Sequence, residues 1–95
     1  MLESAVEKFL VEEVARRGGK CEKVRTIGTR GFFDRLIALP IGWIALVELK
    51  KPKGGRLSPH QRRRLDEYAA IGANVRVCRT RAEVLQLMDE YDNRA

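Results

Sequence analysis

Apolar residues return along this chain with two different spacings, and the spacing divides it into elements. Over 2–17, Leu2, Ala5, Val6, Phe9, Leu10 and Val14 recur every three or four positions, which predicts an amphipathic helix. Gly18-Gly19 closes it, and Arg16 and Arg17 fall in the last turn, where the helix dipole favours cations. Cys21 to Ile27 alternates poorly and predicts only a short strand. From Gly31 to Lys50 the chain is far more apolar and reads as two strands joined by Pro40-Ile41-Gly42. Those three residues suit a hairpin loop with glycine in the left-handed conformation. Ser58 as N-cap and Pro59 at the first helical position predict a helix to about Ile71, stopped by Gly72. Its inner face carries Leu65, Tyr68, Ala69 and Gln61. Val75 and Val77 alternate in a strand over 73–78, and Thr80 caps a last helix from Arg81 to about Tyr91 that buries Val84, Leu85, Leu87 and Met88. Asn93 to Ala95 should fray. The order αβββαβα predicts an α/β layer arrangement on a mixed sheet.

The hairpin places charge where oil should be. With a three-residue loop Leu39 opposes Trp43, and the same register sets Asp34 opposite Glu48. Lys50 follows Glu48 by two residues and shares its face. Two carboxylates and an ammonium therefore converge at one end of the hairpin. Two hard carboxylate oxygens make a site for magnesium or manganese, an ion that keeps waters for substrate phosphate and acidifies one of them. Lys50 beside it would hold that water or offset charge on phosphorus. A charge network without metal accounts for the spacing too, and spacing alone leaves both readings open.

Composition narrows the classes. Ninety-five residues predict one small domain, 1–95, and an apolar share of 44% argues against disorder. No apolar run approaches the ~20 residues of a membrane span, and Glu3 and Glu7 make the N-terminus unlike a signal peptide. Cys21 and Cys78 stand apart and read as reduced, buried thiols of a cytosolic protein, and the lone His60 argues against zinc. The net charge of +6 favours a polyanionic partner. It is concentrated: Lys50, Lys51, Lys53, Arg56, His60, Arg62, Arg63 and Arg64 occur in one stretch without a single acid. That stretch begins at the carboxylate cluster, which turns a merely solvated face toward phosphate-backbone contact. Gly28-Thr29-Arg30-Gly31 leads into the Asp34 strand, a plain turn or a loop whose amides and Arg30 meet phosphate. Glu7, at the border of the first helix's apolar face, is placed to reach toward the sheet, with Glu3 one turn earlier as its competitor. Gln61, one turn before Leu65, points its amide along the sheet-facing side or sits as a polar boundary residue.

Glu7, Gly31-x-x-Asp34, Glu48-Leu49-Lys50 and Ser58-Pro59-x-Gln61 together resemble the motif set of the VRR-NUC (virus-type replication-repair nuclease) domain, a branch of the PD-(D/E)xK nuclease superfamily. The resemblance spans Glu3 to about Val84. Phe33 stands where that family often has proline before the aspartate. The resemblance implies a restriction-endonuclease-like αβββαβ core with a C-terminal helix, and a deoxyribonuclease dependent on Mg2+ or Mn2+. It implies that Asp34, Glu48 and the Leu49 carbonyl bind the ion, and that Lys50 orients the attacking water. It implies too that Gln61 steadies Lys50 or that water, and that Glu7 completes the acidic cluster directly or through water. Lys51, Lys53, Arg56, Arg62, Arg63 and Arg30 would contact DNA. Stand-alone members, similar to those coded by phages, look like dimeric archaeal Holliday-junction resolvases. The expected protein is thus a homodimeric, structure-selective endonuclease for four-way junctions in the cytoplasm of a bacterial cell or phage-infected host. Nicking, flap or restriction-type cleavage on the same site, or a catalytically silent nucleic-acid-binding module, are the alternatives.

Overall fold

The computed structural model describes residues 3–25 and 33–95, with side chains from residue 5. Helix α1 (Glu3–Arg16) leads to strand β1 (Lys20–Lys23), then the hairpin strands β2 (Arg35–Leu39) and β3 (Trp43–Leu49). Helix α2 (Pro59–Ala70), strand β4 (Val75–Cys78) and helix α3 (Arg81–Asp92) follow. The sheet runs β1-β2-β3-β4, antiparallel except for the parallel β3–β4 pair. The expected order, the mixed sheet and the C-terminal helix are all present. β1 is shorter than expected at its far end, stopping at Lys23 (Thr26, Ile27 and the loop carrying Arg30 lie outside the described residues).

The period-2 rule sorts the sheet into two faces. Ile37 and Leu39 of β2, Ala45, Val47 and Leu49 of β3, and Cys78 of β4 form one core with Val6, Leu10 and Val14 of α1 and Val84, Leu87, Met88 and Tyr91 of α3. Leu87 and Tyr91, not Leu85, continue the α3 stripe from Val84. Leu85 lies a third of a turn off the i, i+3, i+7 line and is exposed. Residues of the other parity, among them Leu36, Leu46 and Glu48, face the side where α2 sits. There α2 contributes Leu65 and half-buried Tyr68, whose ring meets Phe33 edge-on, whereas Ala69 is exposed. Arg81 stacks over Phe9 to join α1 to α3, and Trp43 meets Tyr91 edge-on.

The β2–β3 register pairs Leu39 with Trp43 and Arg35 with Val47, as the loop length predicts. The turn differs in one respect. Ile41 as well as Gly42 has a left-handed backbone, at φ 70° and 76°. A β-branched side chain is a costly occupant of that region, and Ile41 is 70% exposed, so packing does not compensate. Gly19 lies where the chain passes the hairpin. A β-carbon there would come within 2.5 Å of Leu39 Cδ2 and 2.7 Å of the Ala38 carbonyl. No helix among the described residues is long and apolar enough to cross a membrane.

Candidate active site

Asp34 lies one step beyond the last regular β2–β3 pair and is fastened on three sides by backbone. Its N–H donates to the Val47 carbonyl, its carbonyl accepts from Val24 N–H, and its Oδ2 accepts from Leu49 N–H at 2.8 Å. Glu48 projects from β3 on the α2 side of the sheet and is 2% exposed. Gln61 Nε2 donates to Glu48 Oε2 at 2.6 Å, and Lys50 Nζ lies 3.5 Å from the same oxygen. Burial pushes the Glu48 carboxyl up to about 7, the neighbouring Asp34 charge adds to the rise, and Lys50 opposes it. The hairpin therefore brings Asp34, Glu48 and Lys50 together as its register demands, and α2 delivers Gln61 to them.

Why α2 can do so is a local matter. Ser58 caps it: Ser58 Oγ accepts from Gln61 N–H at 3.1 Å, and Gln61 Oε1 accepts from Ser58 N–H at 2.9 Å, a complete capping box. Pro59 at the first position costs no hydrogen bond there. The basic residues flank this end of the sheet by chain connection. Lys51, Lys53 and Arg56 lie exposed on the loop between β3 and α2, and His60, Arg62 and Arg63 lie exposed on the first turns of α2.

Glu7 is placed elsewhere. Its Oε2 accepts from Arg35 Nε at 2.8 Å, and Arg35 Nη1 also donates to the Cys21 carbonyl at 3.1 Å. Arg35 follows Asp34 directly and points to the α1 side, so Glu7 is held behind Asp34 rather than beside it. Among the described residues no three His, Cys, Asp or Glu side chains gather as a metal site. The acidic group is the Asp34–Glu48 pair. Sequence reasoning passed over Arg35, although strand parity sets it on the core face, opposite a helix whose nearest polar group is Glu7. It also missed Glu13, 4% exposed and braced by Arg16 and Arg17, each at 3.0 Å.

The donor set suits a hard divalent cation. Two adjacent carboxylates, one of them nearly sealed from water, concentrate negative charge that one ammonium does not offset.

No family model matches the chain. It is 44% identical over 73 residues to "Putative nuclease p44" of Acyrthosiphon pisum secondary endosymbiont phage 1, a match covering 77% of each protein. A solved structure described as "VRR_NUC domain" superposes with a TM-score of 0.87 and 35% identity, covering 94% of this chain and 96% of that one. Both likenesses run through the hairpin and helices that carry Asp34, Glu48 and Gln61. The chain belongs to the VRR_NUC domain family.

Proposed function

We propose that this protein is a divalent-metal-dependent DNA endonuclease that hydrolyses phosphodiester bonds, with four-way junctions as substrate and a homodimer as the working form. One observation carries the chemistry: a buried Glu48 set against Asp34, with Lys50 and Gln61 on the same one of its oxygens. Asp34 and Glu48 would hold Mg2+ or Mn2+. Extended backbone directs the N–H and C=O of one residue to the same side, so the Leu49 carbonyl shares the Asp34 side and is a fitting further ligand. Such an ion, when bound, would polarise the scissile phosphate and acidify a water.

The chain's own residues supply the rest. Lys50, 3.5 Å from Glu48 Oε2, would orient the water that attacks phosphorus while the bond to the leaving sugar oxygen breaks in line. Gln61 restrains the Glu48 carboxylate, which keeps that geometry fixed between turnovers. Glu7, bound by Arg35 on the α1 side of the sheet, would brace the strand behind Asp34 rather than ligate the ion. Lys51, Lys53, Arg56, Arg62 and Arg63, with Arg30, would follow the phosphate backbone. A two-fold dimer would offer two such sites to two strands of a junction. The free thiols Cys21 and Cys78 fit a reducing cytoplasm, in a bacterial cell or a phage-infected host.

Incubation of the protein with a labelled four-way junction, a flap and a linear duplex, with Mn2+, Mg2+ or EDTA, tests the proposal, with sedimentation run alongside. Metal-dependent paired nicks in the junction by a dimer, abolished by Lys50→Met, are expected. Equal cutting of all three substrates by a monomer would refute junction selectivity, and DNA binding without any metal-dependent cleavage would refute the enzyme.

A further inference from the structure

The amide of Gln61 has two faces with opposite demands, and the structure meets both. Gln61 Oε1 accepts from Ser58 N–H at 2.9 Å while Nε2 donates to Glu48 Oε2 at 2.6 Å. Turning the amide over would set Nε2 against a donor and Oε1 against a carboxylate oxygen, two repulsions in place of two bonds. The orientation is therefore dictated by Ser58 and Glu48 together. Glu48 alone is a weak guide, because a carboxylate on a strand can change rotamer and find another donor, such as Lys50 3.5 Å away. The backbone N–H of residue 58 is fixed in space by the cap of α2 and cannot turn away.

We propose that Ser58, through its backbone N–H, is a positioning residue. It locks the Gln61 amide so that only a donor faces Glu48, which pins Oε2 and with it the carboxylate that, beside Asp34, would take a cation. The helix cap and the carboxylate are thereby one hydrogen-bonded chain: Ser58 N–H to Gln61 Oε1, then Gln61 Nε2 to Glu48 Oε2. This deepens the nuclease reading of Glu48, but its first readout requires neither metal nor DNA. Among the described residues the Ser58 hydroxyl serves the helix alone, through Gln61 N–H. Side chain and main chain of one residue thus have separable duties.

The separation makes the test. Ser58 has φ −69° and ψ 162°, a conformation that proline adopts without strain. Ser58→Ala removes the hydroxyl and keeps the N–H; Ser58→Pro removes both. The two variants share the loss of the cap, so their difference isolates the N–H. In the chelated protein, the Gln61 side-chain amide resonances should stay dispersed and slow to exchange in wild type and Ser58→Ala. In Ser58→Pro they should collapse to the values of a free glutamine. The half-saturating Mn2+ concentration, read from paramagnetic broadening, should be roughly tenfold higher for Ser58→Pro than for Ser58→Ala, the usual scale for a ligand's outer partner.

A second measurement does not depend on the proline variant folding. The Ser58 amide belongs to an exposed residue, and its exchange with deuterium should quicken roughly five- to tenfold in Gln61→Leu, the worth of one hydrogen bond. Identical Gln61 resonances and Mn2+ titrations in Ser58→Ala and Ser58→Pro would overturn the proposal. So would a Ser58 amide indifferent to Gln61→Leu. A wild type that keeps the locked amide but takes up no Mn2+ would overturn the metal reading of Glu48, and the positioning role with it.

Discussion

Replacing Glu48 by glutamine should make the metal-free protein more stable, at the cost of its chemistry. Glu48 is 2% exposed and lies beside Asp34, and its carboxyl is raised from 4.5 to about 7, first by burial and then by that charge. A carboxyl raised on folding binds its proton more tightly in the folded state. Its stabilising contribution is complete below the ordinary glutamate range and is lost as pH climbs through the folded value. That rise corresponds to about 3 kcal/mol at ~1.36 kcal/mol per tenfold change in proton affinity. In EDTA the wild type should therefore lose stability, relative to Glu48→Gln, between about pH 5 and about pH 8, by an amount of that order.

The glutamine fits the site. Its oxygen can accept from Gln61 Nε2, and its NH2 can face Asp34, so no donor or acceptor is stranded. At about pH 8 the variant should unfold more than ~10 °C above wild type, since ~1 kcal/mol moves a domain of this size by ~4–8 °C. Urea unfolding of both proteins across the pH range measures the difference directly. Adding Mn2+ should reverse the ranking, because only the wild type gains binding energy in its folded state. Equal stability of the two chelated proteins at alkaline pH, or a wild type that gains stability relative to Glu48→Gln as pH rises, would show that Glu48 is not a strained, buried charge.

Other expectations are simpler. Ile41→Gly should stabilise the protein by roughly 1 kcal/mol, since it relieves a β-branched residue of a left-handed backbone at an exposed turn; calorimetry showing a loss would point to an unrecognised role for the side chain. Leu10→Ala, at a fully buried position between α1 and the sheet, should cost about 3 kcal/mol in denaturant titrations. Arg17 pairs with Asp92 through both Nε and Nη2, and this holds the Asp92 carboxyl below the usual aspartate range. A depressed carboxyl stabilises above its unfolded value, so the Tm advantage of wild type over Asp92→Asn should be present at neutral pH and vanish as acid protonates the pair. An advantage that persists in strong acid would mean that the contact is not electrostatic.

The hairpin was readable because two independent signals agree. A loop of three residues set Leu39 against Trp43, and parity then carried Asp34 to Glu48 and Lys50 to the same face. Ser58-Pro59 was readable for a similar reason, since cap chemistry depends on neighbours in sequence. What escaped depends on neighbours in space. Glu13 sits one turn from the apolar stripe, and nothing local says that Arg16 and Arg17 fold over it. Leu85 and Leu87 are equally apolar, and only the angle at which α3 meets the sheet decides between them. Glu7 was placed at the right border of α1, but its partner was invisible until Arg35 was known to face that helix. The left-handed Ile41 had no signal at all, since glycine next to it was sufficient to make the turn.

The two carboxylates belong to a single hairpin, whereas the glutamine that restrains one of them arrives on a later segment, across the β3–α2–β4 crossover. Local pairs close sooner than distant ones during folding. Asp34 and Glu48 would therefore meet while still hydrated, with the like charges tolerable in water. They would lose that water only when α2 docks, and an ion present at that moment would be enclosed with them.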